Sequence, residues 1–230
     1  MKAAGISLMV FDLDGVIVNS EPAHEIARQS ILQERFPAEV SKVRKDCTGI
    51  SAREEYQYYL DCFQMKDSAR ELEQLHYART LDTLKDTQPV PTEGLLEVLK
   101  GLKERGIALA VASTSPRFYV EGVLAHFGLM DYFSAIACGD QVKRAKPDPA
   151  VYLLALSLMG TDAGRAAALE DSRAGLMAAK AAGLYALGFH APGPFLQDLS
   201  LADGEISSMK ELLPLLLGES KISNGNSPNA

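Results

Sequence analysis

The chain reads as an α/β protein, a doubly wound parallel sheet with an inserted helical cap domain. Three observations predict this. A short apolar run near the N-terminus stops abruptly in Asp12-Leu13-Asp14-Gly15. Residues from about 21 to 86 then show helical texture with no strand, and after Pro89 short apolar runs alternate with helical segments. Such alternation is the mark of βαβ units, whose parallel sheet is covered on both faces. A length of 230 residues accommodates one such core plus a smaller inserted module.

The first strand is Ile6-Ser7-Leu8-Met9-Val10-Phe11, which has the length of a buried strand and presents two acids at its C-terminal tip. From Glu21 to Asp86 apolar residues recur at helical spacing, as in Ile26, Ile31, Tyr56, Tyr59, Leu60 and Phe63, which predicts three or four helices. Gln88-Pro89-Val90-Pro91 punctuates the chain. Beyond it the pattern predicts helix 94–105, strand 107–112, helix 119–127, strand 135–138, helix 150–159, strand 166–169, helix 174–182 and strand 185–189. The resulting organisation is a discontinuous core (residues 1–18 and 89–218), a helical cap (19–88) and a small, polar, flexible tail (219–230).

Composition narrows the function. With 23 Lys plus Arg against 30 Asp plus Glu, the net charge of −7 leaves no basic surplus for a nucleic-acid backbone. The longest apolar runs fall well short of the roughly 20 residues a membrane helix needs, and no signal segment is evident, so a cytoplasmic location without membrane association is expected. Cys47, Cys62 and Cys138 have neither disulfide nor metal spacing and read as buried or half-buried thiols. His24, His76, His126 and His190 are far apart and form no zinc motif, so any metal should have oxygen ligands.

Four strand ends carry the chemistry. Asp12 and Asp14 can face one site because Gly15 lets the chain turn, although an acidic turn of no function has the same appearance. Ser113-Thr114-Ser115 ends the next strand with hydroxyls and amides that can receive an anionic oxygen, or cap a helix. Lys146-Pro147-Asp148-Pro149 sets a cation before a helix, either over the carboxylates or in solvent. Glu170 and Asp171 are adjacent acids whose mutual repulsion a divalent cation would relieve.

Taken together, Phe11-Asp12-Leu13-Asp14-Gly15-Val16, Ser113, Lys146-Pro147-Asp148 and Glu170-Asp171-Ser172 resemble the haloacid dehalogenase-like superfamily. The likeness is to its helical-cap branch, which holds phosphatases and β-phosphoglucomutases, and it covers about residues 6–217. Asp14 marks the phosphate-processing members rather than the dehalogenases. The resemblance implies Mg²⁺-dependent phosphoryl transfer through an aspartyl-phosphate on Asp12, with Asp14 as general acid/base. It implies Mg²⁺ on Asp12, the Asp14 carbonyl and Asp171, with Glu170 binding directly or through water. It also implies phosphate contacts from Ser113, the Thr114 N–H and Lys146. Ser172 and Gly175 are expected to serve capping and close packing.

In the cap, Cys47-Thr48-Gly49-Ile50-Ser51-Ala52-Arg53 resembles the substrate loop of that branch, which gives Gly49 and Arg53 as candidate substrate contacts beside the reading of a plain interhelical turn. His24 matches a histidine of many relatives and fits substrate contact, proton transfer or helix packing. Arg79 aligns loosely with a cation that meets the distal part of the substrate, and Tyr56, Tyr58 and Tyr59 read mostly as packing. The expected reaction is hydrolysis of a small phosphomonoester such as a sugar phosphate, by a monomer or weak homo-oligomer whose partner is a small phosphorylated metabolite. Val16 after the glycine is similar to the mutase form, whereas Thr48 and the offset of Arg53 depart from it. A β-phosphoglucomutase-type isomerase is therefore the alternative, and a receiver-type signalling module a remote one.

Overall fold

The computed structural model describes residues 5–43, 51–87, 89–191 and 197–217. Its centre is a six-stranded parallel sheet built from β1 (Leu8–Phe11), β2 (Ala108–Ala112), β3 (Ala135–Ala137), β4 (Ala166–Glu170), β5 (Tyr185–Phe189) and β6 (Gly204–Ile206), in the order β3-β2-β1-β4-β5-β6. The chain begins in the middle, winds out to β3, then returns to lay β4 on the other side of β1. Loops leaving β1, β2 and β4 therefore open a crevice at the strands' carboxyl ends, where ligands bind in doubly wound sheets.

The five strands expected from the sequence are present, with ends shifted by two residues or fewer. β6 was not legible: Gly-Glu-Ile has a single apolar residue to bury at the sheet edge, and Ile206 is the one buried. The strands alternate between two packed faces. Met9, Phe11, Val111, Leu169 and Leu187 meet α5 (Leu95–Glu104), α6 (Arg117–His126) and α9 (Leu212–Leu217). Leu8, Val10, Ala110, Ala112, Ala166 and Ala168 meet α7 (Ala150–Met159) and α8 (Arg173–Ala181), the alanines letting those helices approach closely. Every side chain of β1 is fully buried, and each contributes about 1.5–3 kcal/mol by that burial.

Between β1 and α5 lie α1 (Glu21–Arg35), α2 (Val40–Val43), α3 (Ala52–Cys62) and α4 (Ala69–Thr87), with no strand among the described residues there, as expected. They share a separate apolar cluster of Ile31, Leu32, Phe36, Tyr56, Tyr59, Leu60 and Leu72. Ile26 departs from expectation. The buried stripe of α1 is Ala23, Ala27 and Ile31, which leaves Ile26 52% exposed. α3 opens with a capping box of Ser51 and Glu54, an N-terminal signature that fixes where the helix starts.

The chain leaves and re-enters the sheet region at one place. The Thr92 N–H and Oγ1 donate to the carbonyls of Ile17 (3.0 Å) and Val16 (2.6 Å). Nearby, α4 rests on α6 where Gly122 has no side chain; a Cβ there would come within 2.5 Å of Leu81. Of the three cysteines, Cys138 is buried as expected, Cys62 is exposed contrary to expectation, and Cys47 lies outside the described residues. The tail beyond Leu217 also lies outside them.

Candidate active site

The parallel register sets the site. Phe11 lies level with Val111 and Leu169, and the Asp12 N–H donates to the Leu169 carbonyl at 3.0 Å, so Asp12 emerges beside Glu170. Lys146 reaches in from the loop before α7. Its Nζ donates to Asp12 Oδ1 (2.7 Å), Glu170 Oε1 (2.6 Å) and the Ala112 carbonyl (2.9 Å), and lies 5.1 Å from the centre of the Tyr152 ring. The lysine is thus the cation over the carboxylates, not a solvated one. Burial pulls its pKa down, and Asp12 and Glu170 more than reverse this, so the ammonium is held charged.

Glu170 is completely buried and fully engaged. Besides Lys146 it accepts a short hydrogen bond from the Tyr152 hydroxyl on Oε1 and one from Ser172 Oγ (3.2 Å) on Oε2. Ser172 also caps α8, accepting from the Gly175 N–H at 3.0 Å. Gly175 has to be glycine for Glu170 to fit, because a Cβ would lie 1.9 Å from Oε2. Gly15 plays the same part for Asp171. Its φ of +82° is left-handed, and a Cβ would lie 1.9 Å from Asp171 Oδ2.

Asp12, Glu170 and Asp171 each offer one oxygen within 4.8 Å of the others. Three carboxylates against the one lysine leave an excess of negative charge in a buried place, and the pKa values register it. Burial pushes Asp12 well above the ordinary carboxylate range; Lys146 lowers it, while Glu170, Asp171 and Asp14 raise it. Asp171 is pushed up to about 7 by burial and by Glu170, with Lys146 opposing. An all-oxygen donor set carrying surplus negative charge fits a hard divalent cation, which would return both groups to the carboxylate form. The Asp14 carboxylate is not one of the three, so only its backbone could join them.

Asp14 is treated differently. Ser20 Oγ (2.5 Å) and the Tyr119 hydroxyl (3.0 Å) donate to its Oδ1, and Ser115 Oγ (3.0 Å) donates to Oδ2. His24 Nε2 lies 3.5 Å from Oδ1 and 3.2 Å from the Tyr119 hydroxyl. Burial would raise the Asp14 pKa, but His24, Ser20 and Ser115 outweigh it and hold the group below its ordinary value. Of two acids one residue apart, one is therefore pushed towards protonation and the other kept ionised.

The remaining expected site residues are placed unevenly. Ser113 is buried at the end of β2, its N–H donating to Ala137 and its Oγ accepting from the Ser115 N–H at 3.1 Å. Thr114 is exposed, with its carbonyl against Gly139. Arg53 is exposed and paired with Glu73 of α4. Gly49 lies outside the described residues. Arg79 ties α4 to α1 through Ser30 Oγ (2.9 Å) and Glu34. Tyr56 and Tyr59 are buried and Tyr58 is at the surface, in line with packing.

Ser20, Ser115 and Tyr119 escaped the sequence reading. Ser20 stands at the N-cap position of α1 yet makes no side-chain cap, its hydroxyl going to Asp14 instead. Ser115 was within the hydroxyl triplet but second to Ser113. Tyr119 gives no sequence signal, since it acts through the first turn of α6.

A sequence model described as haloacid dehalogenase-like hydrolase matches residues 9–189. Hexitol phosphatase B of Escherichia coli K12 is 30% identical over 213 residues, covering 88% of this chain and 92% of the relative. A phosphorylated carbohydrates phosphatase of Thermotoga maritima is 29% identical over 179 residues, covering 76% and 81%. Among solved structures, CbbY from Rhodobacter sphaeroides in complex with phosphate superposes with a TM-score of 0.75 at 30% identity, covering 90% of this chain and 96% of the other.

Proposed function

The chain belongs to the haloacid dehalogenase-like hydrolase family, and from that premise we propose that it is a Mg²⁺-dependent phosphatase of small phosphomonoesters, with sugar and polyol phosphates as the substrate class. Membership sets aside the receiver-type reading. The observation that carries the proposal is the opposed treatment of Asp12 and Asp14. Asp12 sits in the carboxylate–lysine cluster with a nucleophile's surroundings, and Asp14 sits among proton donors. The phosphatase named for phosphorylated carbohydrates and the one named for hexitols support the substrate class.

Asp12 Oδ attacks phosphorus, the ester P–O bond breaks, and the leaving oxygen takes a proton from Asp14. Asp14 is held ionised by His24 and its hydroxyl donors, and the like charge of a bound phosphate raises its pKa so that it can enter this step protonated. Once deprotonated, it is returned by the same donors to the base form that draws a proton from water attacking the aspartyl-phosphate. Lys146 stabilises charge on the transferring oxygens and, without phosphate, on Asp12. Ser113 and the Thr114 N–H line the approach at the end of β2. Mg²⁺ would be held by Asp12, Asp171 and the Asp14 carbonyl, with Glu170 bound directly or through water, and would cancel repulsion between nucleophile and phosphate. In this reading residues 19–88 form the cap, and His24 borders the crevice beside Asp14. Free thiols at Cys62 and Cys138 suit a reducing cytoplasm.

The test is phosphate release from a panel of sugar, polyol and carboxylic-acid phosphates with and without Mg²⁺, using Asp12→Asn as the blank. Steady isomerisation of glucose 1-phosphate in the presence of a bisphosphate primer, without inorganic phosphate, would replace hydrolysis by the mutase alternative.

A further inference from the structure

A line of hydrogen bonds runs from the interior of the helical layer to Asp14. The buried Tyr56 hydroxyl on α3 lies 2.9 Å from His76 Nδ1 on α4, and His76 Nε2 lies 2.9 Å from His24 Nδ1 on α1. His24 Nε2 in turn meets the Tyr119 hydroxyl at 3.2 Å, and that hydroxyl donates to Asp14 Oδ1. The two imidazoles stack, with centroids 5.1 Å apart and planes 16° from parallel.

The directions of these bonds are constrained. The Tyr119 hydroxyl spends its one proton on Asp14 Oδ1, so the Tyr119 oxygen can only accept from His24 and Nε2 must carry a hydrogen. What keeps the ring in this orientation lies on its other edge. His76 is 3% exposed, and burial together with His24 and Arg28 lowers its pKa to about 3, so it stays neutral with one N–H and one lone pair. It can therefore meet His24 Nδ1 as donor or as acceptor. A lysine could only donate, and an apolar residue could do neither. The Thr80 hydroxyl donates to the His76 carbonyl at 2.8 Å and lies 3.3 Å from His24 Nδ1, closing the pocket around the ring.

The buried stripe of α4 is Ala69, Leu72, His76, Thr80 and Leu84. A leucine would suit position 76 if packing were its only task, since a buried polar group is unfavourable unless it is bonded. We propose that His76 is a positioning residue that holds the His24 ring with Nε2–H aimed at Tyr119 and Asp14, Tyr56 anchoring it from behind. The proposal rests on the reading of Asp14 as the proton-transfer carboxylate, and it makes the inner face of α4 part of the acid/base apparatus.

The test uses the full chain with Mg²⁺ and p-nitrophenyl phosphate, together with ¹⁵N spectra of the histidine rings assigned with a His24→Gln variant. In His76→Phe the His24 Nδ1 signal should shift to that of an unbonded nitrogen and the Nε2–H signal should broaden as the ring loses its fixed orientation. Loss of one buried hydrogen bond should lower kcat about tenfold with KM held within about twofold. His76→Gln, which keeps a donor and an acceptor, should recover about a third or more of the wild-type rate. An unchanged His24 signal in His76→Phe, or no recovery in His76→Gln, overturns the proposal. If His76→Phe does not fold, Tyr56→Phe decides by the same signals: a shift in the His76 and His24 nitrogens supports the relay, and unshifted nitrogens refute it. Asp14→Asn separates the two readings. If it turns over as wild type, Asp14 is not the proton-transfer group, whereas the ring spectra still judge the hydrogen-bond assignment by themselves.

Discussion

Replacing Lys146 by Met removes the one cation among the described residues in contact with both Asp12 and Glu170 while keeping most of the side chain's volume. The Lys146 side chain is 6% exposed, Asp12 is 12% and Glu170 is 0%, so water cannot take its place. Breaking a buried ion pair by removing one partner costs about 3–5 kcal/mol, because the other charge is left uncompensated. In a chain of this size that is a fall in Tm of roughly 10 °C. The sign of the pH dependence follows from the carboxylates. Without Lys146 the Asp12 pKa, already raised by burial, rises further, and below it protonation removes the repulsion. The loss should therefore be largest near pH 7.5 and shrink towards pH 5. Thermal melts of wild type and Lys146→Met in EDTA at both pH values measure it. A Tm change below about 2 °C, or one equal at both pH values, refutes the reasoning.

Gly15→Ala should impair metal binding more than folding. The left-handed φ costs about 1–2 kcal/mol, while the overlap with Asp171 displaces one of the three clustered carboxylates, so titration with Mg²⁺ should show affinity weakened about tenfold or more. In metal-free protein Asp171 has a folded pKa near 7 against 3.8 unfolded. The folded state then binds the extra proton between those values, so stability is highest at low pH and falls as pH rises towards 7. Melts in EDTA from pH 5 to 7.5 should show this decline and added Mg²⁺ should flatten it; a rise with pH contradicts the assignment. Arg79→Met should lower stability only slightly, as expected of a partly exposed ion pair, and leave KM unchanged, whereas a raised KM would make Arg79 a substrate contact.

What could be read from the sequence was what depends on strand ends. Asp12, Asp14, Lys146, Glu170 and Asp171 each follow or precede an apolar run, and the parallel register alone carries the acids on β1 and β4 to one edge. The element that closes around Asp14 could not be read in that way. Tyr119, Ser20, His24 and His76 lie on three helices separated by up to about a hundred residues, and they meet only because α4 packs on both α1 and α6. His76 did leave a trace, a histidine in the stripe of α4 that Ala69, Leu72, Thr80 and Leu84 share, visible once the buried face is known. β6 was missed because three residues at an edge need bury only one side chain, and Ile26 was misplaced because its helical neighbours Gln29, Ser30 and Gln33 are polar while the buried face runs through Ala23, Ala27 and Ile31.

The central claim is that Asp12 carries the phosphoryl group. Single-turnover reaction with the best substrate, quenched and reduced with borohydride, tests it most directly, because an acyl phosphate at Asp12 is converted to homoserine that peptide mass spectrometry locates. Homoserine is expected at position 12 in the presence of substrate and Mg²⁺, and none in Asp12→Asn. Efficient turnover with no modification at position 12, or with the modification on another carboxylate, contradicts it.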